Sequence, residues 1–375
     1  MKRILLVGGG SGGHVFPLVA IADMLREKSQ QGGTDLELKL WGDGKFLDKV
    51  GQEAGLNYTR IVAGKLRRYF SLLNILDFFK LILGFIQSLW LMFWYMPDIV
   101  FTKGGYASVM PAIAAKLYMI PVIVHESDSV PGLANKIIAK IAIKVLVSFE
   151  SSQKYFKQSK TIVVGNPVRK EILNGDRNTG TSFYKLDSNK KTILVLGGSQ
   201  GAKRINDLIL DSLVLLVKDY QIIHQCGDTQ YDHVKAEAEK YMKEGEASYG
   251  PQIAQNYRLY PFLDRDDMKS AYAVADVIVS RGGAGSIAEI ALLGKPAIII
   301  PLSLKASRGE QITNAIEFSK YGASVLEEAN TTPHILINQI QSLLRQENYQ
   351  AVSARIKSFA RSEAAVSIAE IILQL

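Results

Sequence analysis

Short apolar runs alternate with longer amphipathic stretches along most of the chain. Ile4–Val7 is a four-residue apolar run closed by glycines, and the pattern from Val15 to Lys28 has the helical period. Leu36–Trp41 and Tyr58–Val62 read as strands around a short helix, Phe46–Ala54. Further strands are expected at Asp98–Thr102, Pro121–Val124, Val145–Ser148 and Thr161–Val164, with one helix ending at Leu117 and another over Pro131–Lys140. The second half repeats the scheme near Ile193–Leu196, Gln221–His224, Tyr257–Tyr260, Val277–Ser280, Ala297–Ile300 and Ala323–Val325. Such alternation predicts an α/β fold with parallel sheets covered by helices on both faces. At 375 residues the chain is long for one core, so two domains are expected, with a cleft between them. Ligands of such sheets sit at the carboxyl ends of the strands.

The polar, irregular residues 167–190 predict a linker between a first domain, 1–166, and a second, 191–360. Residues 333–375 are helical by period, and a last helix in 361–375 is free to cross back onto the first domain. One segment breaks the pattern. Residues 69–96 are almost continuously apolar, interrupted by Asp77, Lys80 and Gln87, and follow a basic cluster of Lys65, Arg67 and Arg68. The length permits a membrane span. However, a span would put the strands on either side of it on opposite faces of the bilayer. A surface helix or helical hairpin lying in the interface of an anionic membrane fits better, and a core helix is the alternative.

Composition narrows the class. Apolar residues make up 47%, which excludes a disordered chain, and Cys226 is the only cysteine, so no internal disulfide or cysteine-based metal cluster is available. Met1-Lys2-Arg3 leads directly into a strand too short for a signal peptide, and a cytoplasmic location is the expectation. Residues 1–166 carry 20 Lys and Arg against 12 Asp and Glu, whereas the remainder carries 24 of each. A basic first half suits anionic lipid, nucleic acid or a phosphorylated substrate, or is ordinary surface charge.

The candidate chemistry lies where strands meet glycines. Gly8 to Gly13 follows the first strand and opens the first helix, with His14 at its mouth; Gly197-Gly198-Ser199-Gln200-Gly201 repeats the arrangement about 190 residues later. Glycines let the backbone approach a ligand, and free N–H groups at a helix start face an anion. A third turn, Arg281-Gly282-Gly283-Ala284-Gly285-Ser286, leads to Glu289, which suits the two hydroxyls of a ribose or pairs with the helix dipole. Gln311 and Asn314 share a helix face and suit sugar hydroxyls or solvent. Arg169 offers a fork to a phosphate or to a linker ion pair. His14, His125, Glu126 and Asp128 are the acid–base candidates, each with a structural alternative: a hydrogen-bond donor, buried strand-end groups, or an N-cap. No Asp-x-Asp supports a divalent-metal nucleotide site.

Taken together, these pieces resemble the MurG family of peptidoglycan glycosyltransferases. The resemblance rests on residues 8–17, Gly104-Gly105-Tyr106, His125-Glu126 with Pro131 to Lys136, Gly165 to Arg169, Gly197 to Ala202, Arg281 to Glu289, and Gln311 with Asn314, in the family's order over most of the chain. It implies the GT-B architecture, two Rossmann-like doubly wound domains facing across a cleft, and an inverting transfer that needs no metal or other cofactor. The donor implied is UDP-N-acetylglucosamine and the acceptor undecaprenyl-pyrophosphoryl-N-acetylmuramoyl-pentapeptide. It further implies a peripheral site on the cytoplasmic face of the membrane, contact with its anionic surface through 65–96, and no nucleic-acid partner. Carried over by motif, Ser199 and Arg169 meet the donor diphosphate. Leu263, Ala284, Gly285 and Ser286 line the uracil and phosphate pocket, Glu289 holds the ribose and Gln311 the sugar. Ser11, Gly12 and Gly13 face the sugar and the acceptor diphosphate, with Tyr106 and His125 on the acceptor side. His14 is the first choice of base and Glu126 the second.

This chain departs from the family's usual His-Glu-Gln-Asn, reading His125-Glu126-Ser127-Asp128. The family's Asn touches the donor sugar, whereas an ionised Asp128 only accepts, which bears on donor geometry and sugar choice. Glu310 is a second departure, beside Gln311. Three other readings stay open: a lipid-directed UDP-sugar transferase or epimerase of the same fold, an NAD-dependent oxidoreductase using Asp43 for the ribose, and a non-catalytic membrane-associated binding protein.

Overall fold

The structure, a computed structural model, describes residues 1–9, 12–44, 46–64, 73–198, 201–304 and 309–375. They form two compact units, Met1–Arg169 with Arg361–Leu375, and Lys170–Ala360. Among the described residues the first unit has a seven-stranded sheet: β1 Lys2–Gly9, β2 Leu36–Asp43, β3 Asn57–Arg60, β4 Ile99–Thr102, β5 Val122–Glu126, β6 Lys144–Val147 and β7 Thr161–Val163. Its order is β3-β2-β1-β4-β5-β6-β7, and its neighbouring strands are parallel. The helices between them are α1 Gly12–Gln31, α2 Phe46–Glu53, α3 Leu73–Tyr95, α4 Val109–Leu117 and α5 Leu133–Ile141.

The apolar run of β1 shows why a central parallel strand lacks alternation: both faces are covered. Ile4 and Leu6 enter a core with α1, while Leu5 and Val7 enter a second core with α4 and the inner side of α3. Register follows, with Gly9 opposite Asp43 and Val7 opposite Thr102. The chain reverses its order between β1 and β4, so the carboxyl ends of those strands form the switch point where doubly wound sheets bind ligands.

α3 is a single 23-residue helix, not a hairpin. Its inner side docks tightly: a Cβ on Gly84 would lie 2.0 Å from the Val62 carbonyl. The Gln87 amide accepts from Val62 N at 2.8 Å and donates to Arg60 O at 2.9 Å. Asp77, Ser88, Met92 and Tyr95 are buried, whereas Leu76, Phe78, Phe79, Ile86, Trp90, Phe93 and Trp94 are exposed. The core-helix alternative therefore fails for this outward face. Asp77 and Ser88 thus lie inside with Met92 and Tyr95, while most of the aromatics lie outside. The basic cluster at Lys65, Arg67 and Arg68 lies outside the described residues.

The second unit repeats the topology, with β8 Lys191–Leu196, β9 Tyr220–Gln225, β10 Tyr257–Tyr260, β11 Val277–Ser280, β12 Ala297–Ile299 and β13 Ser324–Val325 in the order β10-β9-β8-β11-β12-β13. Its helices are α6 Arg177–Phe183, α7 Lys203–Asp219, α8 Tyr231–Glu244, α9 Gly250–Asn256, α10 Arg265–Val274, α11 Ala284–Leu293, α12 Glu310–Ser319, α13 Pro333–Leu344 and α14 Gln346–Ser358.

Residues 167–190, expected as an irregular linker, are largely ordered within this unit. Asp176 caps α6 by accepting from Thr179 N at 2.7 Å, and Gly180 lets α6 press against Ser270 and Val274 of α10. The buried Tyr184 donates to Asp267 O at 2.7 Å. The last helix, α15 Ala364–Leu373, belongs to the first unit. Ala365, Ile368, Ala369 and Ile372 join the core under α1, and Lys2 Nζ donates to Leu373 O at 2.6 Å.

Candidate active site

At the first switch point, β1 ends in Gly8-Gly9 and α1 begins at Gly12. Residues 10 and 11 lie outside the described residues, so Ser11 is not placed. The crowding explains the glycines: a Cβ on Gly42 would lie 1.8 Å from the Gly8 carbonyl, and one on Gly105 would lie 2.4 Å from the Gly9 carbonyl. Gly104 and Gly105 also hold φ of 88° and 83°, which favours glycine.

His14 stands half-buried in the first turn of α1, after Gly13. Its Nδ1 donates to the Lys103 carbonyl at 3.2 Å, which leaves Nε2 as the basic nitrogen. Burial and the Lys103 charge pull its pKa down to about 4, so the ring is neutral near pH 7. Tyr106 donates to Asp43 Oδ2 at 3.1 Å, and burial together with Asp43 pushes its phenol up to about 12. Asp43 is thereby held by a tyrosine at the position where a dinucleotide fold offers a free acid to the ribose.

At the end of β5, His125 is wholly buried: its Nε2 donates to Gly165 O at 2.9 Å, and its Nδ1 accepts from Lys103 Nζ at 2.7 Å. Glu126 is also buried, and its carboxylate is engaged by its own loop. It accepts from Asp128 N at 2.9 Å, Gly132 N at 3.2 Å and Asn135 Nδ2 at 2.8 Å. Burial and the neighbouring Asp128 raise its pKa to about 7. This geometry makes Glu126 the organiser of the 126–135 loop. Asp128 is half-buried, and the Arg169 guanidinium stacks over Phe16 at 5.6 Å.

In the second unit, the turn after β8 holds Gly198 and Gly201 at φ of 77° and 79°; Ser199 and Gln200 lie outside the described residues. After β11, Gly282 has φ 81°, and a Cβ there would meet Ile299 Cγ2 at 2.7 Å. Gly283, the N-cap of α11, has no side chain with which to cap it, so Ala284, Gly285 and Ser286 begin the helix with N–H groups suited to an anion. Glu289 accepts from the Tyr272 hydroxyl at 2.8 Å, and Leu263 is buried. Gln311 Oε1 accepts from Leu302 N at 3.1 Å, which points its amide nitrogen the other way as a donor. Asn314 is wholly buried and donates to Gly282 O at 3.5 Å, so it supports the glycine turn and does not face a sugar.

Residues 4–147 match the Glycosyltransferase family 28 N-terminal domain and residues 192–370 the Glycosyltransferase family 28 C-terminal domain. A Treponema denticola protein named UDP-N-acetylglucosamine–N-acetylmuramyl-(pentapeptide) pyrophosphoryl-undecaprenol N-acetylglucosamine transferase is 39% identical over 98% of this chain and 94% of its own length. The chain belongs to the MurG family. The solved structure of Acinetobacter baumannii MurG superposes with a TM-score of 0.72 at 23% identity, covering both chains fully. The UDP-GlcNAc 2-epimerase of Neisseria meningitidis gives 0.70 at 15% identity over both full chains. The fold of this MurG-family chain is GT-B, one doubly wound domain followed by another.

Within this chain the structure brings His14, Tyr106, Glu126 and Asp128 to the carboxyl end of the first sheet, and Leu263, the α11 start, Glu289 and Gln311 to that of the second. Two sets of contacts escaped the sequence reading. Arg281 forms a half-buried ion pair with Glu328 at 2.5 Å, and Glu328 Oε2 accepts from Ser303 N at 3.3 Å. Lys103 is wholly buried, with its ammonium on His125, Ser127 and Asn166. No local pattern marks either group, since their partners lie 22 to 63 residues away.

Proposed function

We propose that the chain moves N-acetylglucosamine from UDP-N-acetylglucosamine to the C4 hydroxyl of undecaprenyl-pyrophosphoryl-N-acetylmuramoyl-pentapeptide, with inversion, in peptidoglycan synthesis. The observation that carries this reading is the 39% identity to the Treponema denticola transferase over nearly both full lengths. A glycine turn at the switch point of each sheet supports it.

In this reading the second unit takes the donor. The α11 start meets the diphosphate, Glu289 accepts from the ribose hydroxyls, Leu263 lies against the uracil and the Gln311 amide donates to the sugar. Asp128 accepts from a donor-sugar hydroxyl. Ser199 and Arg169 are assigned to the donor diphosphate. The first unit takes the acceptor, with Ser11, Gly12 and Gly13 toward its diphosphate and Tyr106 toward its sugar.

The C4 oxygen bonds to the anomeric carbon as the bond from that carbon to the β-phosphate oxygen breaks. UDP departs with the electron pair. His14 Nε2 takes the hydroxyl proton, oriented by its Nδ1 bond to Lys103 O. An acceptor diphosphate beside the ring would add negative charge and raise its low pKa toward working pH. The helix start and Arg169 stabilise the leaving charge, and no metal is assigned to the step.

The chain is also proposed to sit peripherally on the cytoplasmic face of the membrane, through the outward side of α3 and the basic residues Lys65, Arg67 and Arg68 that precede it in sequence. The outward side of α3 supports this, since a large exposed apolar face marks an interaction surface.

The test is a transfer assay with labelled UDP-N-acetylglucosamine and a short-chain lipid-linked muramoyl-pentapeptide, with and without EDTA. Label entering a disaccharide lipid, undiminished by EDTA, is expected. Donor binding without transfer would sink the catalytic reading, and loss of transfer in EDTA would sink the metal-free step.

A further inference from the structure

Lys103 is the first residue after β4, yet it is wholly buried. A lysine at a strand end ordinarily extends into water. Here the backbone N–H continues the sheet by donating to Val7 O at 2.8 Å, and the side chain runs inward beneath the 125–128 loop. Its Nζ reaches His125 Nδ1 at 2.7 Å, Asn166 Oδ1 at 2.8 Å and Ser127 Oγ. Because His125 Nε2 donates to Gly165 O, its Nδ1 carries the lone pair. Ser127 Oγ donates to Asn166 Oδ1 at 3.5 Å, which leaves an oxygen lone pair for the lysine. Three acceptors thus match the three N–H bonds of an ammonium.

A buried cation requires negative charge nearby. Two of the three acceptors, His125 and Ser127, flank Glu126 in sequence, and Asp128 follows directly. Glu126 and Asp128 both favour the charged lysine against the burial that pulls it down to about 7. The neighbouring Asp128 disfavours ionisation of Glu126, and the Lys103 charge opposes that effect. On its other side, the Lys103 carbonyl holds His14 Nδ1, and its charge disfavours the imidazolium. The groups that face Lys103 are therefore His14 from α1, His125 and Glu126 from β5, Ser127 and Asp128 from the following loop, and Asn166 after β7.

We propose that Lys103 is a positioning residue for the transfer: its buried ammonium is the countercharge of the Glu126–Asp128 pair and ties that loop to the Asn166 segment, while its backbone carbonyl holds the His14 imidazole. The inference rests on the glycosyl-transfer reading above for its catalytic consequence, and on this chain's own side chains for the rest. Asp128 and Lys103 form one charge unit, so removing either alone unbalances the site and removing both restores the balance.

The test compares wild type, Lys103→Met, Asp128→Asn and the double variant in the full-length chain. Lys103→Met should lower kcat about tenfold to hundredfold and leave the donor KM within about twofold. It should also move the acid limb of the kcat–pH profile upward by roughly half a pH unit or more, because His14 and Glu126 then hold protons more tightly. Adding Asp128→Asn should return the limb toward its wild-type position; because Asp128 also meets the donor sugar, the limb and not the size of kcat is the readout of the double variant. An unmoved limb in Lys103→Met, or effects of the two substitutions that simply add, would overturn the proposal in favour of a space-filling lysine. If the lysine variants do not fold, Asn166→Ala removes one of the three acceptors and should move the limb in the same direction by less; no movement there is equally fatal. If wild type shows no transfer, the functional reading falls, and melting curves of the same four proteins decide the charge unit alone. A melting temperature that Asp128→Asn raises in the Lys103→Met background supports the unit, and additive losses refute it.

Discussion

Replacing Trp90 and Trp94 together by serine tests the membrane contact proposed for the outward face of α3. The two side chains are 63% and 68% exposed, and their rings meet edge to face at 5.7 Å, so they form one patch. A tryptophan offers up to about 250 Å². At these exposures roughly 160 Å² of each is free to leave water, and at about 25 cal/mol per Å² the pair sets an upper limit of ~8 kcal/mol. An interfacial helix sinks only part of its apolar face, so about half of that, ~4 kcal/mol, is the expected loss. That corresponds to roughly a thousandfold weaker partitioning onto vesicles.

The assay is flotation with vesicles containing phosphatidylglycerol, read beside a melting curve. Met92→Ala is the control, because Met92 lies on the same helix but is wholly buried. It should cost about 2–5 kcal/mol of stability and leave partitioning of the folded protein unchanged. The tryptophan variant should show the reverse. If it partitions like wild type, or if it loses stability as Met92→Ala does, the outward face of α3 is not the membrane contact.

Four further outcomes are expected. His14→Ala should lower kcat roughly 10²- to 10⁴-fold while calorimetric affinity for UDP-N-acetylglucosamine stays put, and equal losses in both would remove His14 as base. Glu289→Ala should weaken donor binding about tenfold to hundredfold, since a charged acceptor is lost, and unchanged affinity would take the ribose away from Glu289. His224 is wholly buried between Tyr257 and Asn206, and burial pulls its pKa down to about 3. The unfolded chain therefore binds more protons between pH 6.5 and 3, and stability falls as pH drops through that window, by up to about 5 kcal/mol. His224→Gln should flatten this part of the stability–pH curve, and an unchanged slope would place the proton uptake elsewhere. Gly42→Ala forces a Cβ to within 1.8 Å of the Gly8 carbonyl and should cost about 3 kcal/mol in chemical denaturation; a neutral result would mean that the strand end yields.

What the sequence discloses follows from how local each determinant is. Runs such as Ile4–Val7 and Val277–Val279 are apolar at every position because parallel strands are buried on both faces, so their places and the doubly wound scheme were legible. The glycine turns were legible for a related reason: close backbone approach and positive φ at Gly105 and Gly282 admit little else. The segment 167–190 was not. Arg177-Asn-Thr-Gly-Thr-Ser-Phe has weak helix propensity, and α6 exists because Asp176 caps it and α10 receives Gly180.

α3 shows a second limit. Its composition signals an apolar helix, but which residues face inward is decided by Val62 and the end of β3 pressing on Gly84 and Gln87, contacts that no period in the helix records. The site divides along the same line. His14 and Glu289 are visible because each follows its own turn by one or a few residues, whereas the work of Asn314 depends on Gly282, 32 residues away. Lys103 lies furthest from sequence reasoning. Between Thr102 and Gly104 it has the profile of a solvated strand-end lysine, and only the meeting of the ends of β4, β5 and β7 turns it into a buried charge. Once it is buried, the pair of acids at Glu126 and Asp128 ceases to be an anomaly of the loop, because a cation held by three acceptors needs compensating carboxylates close by.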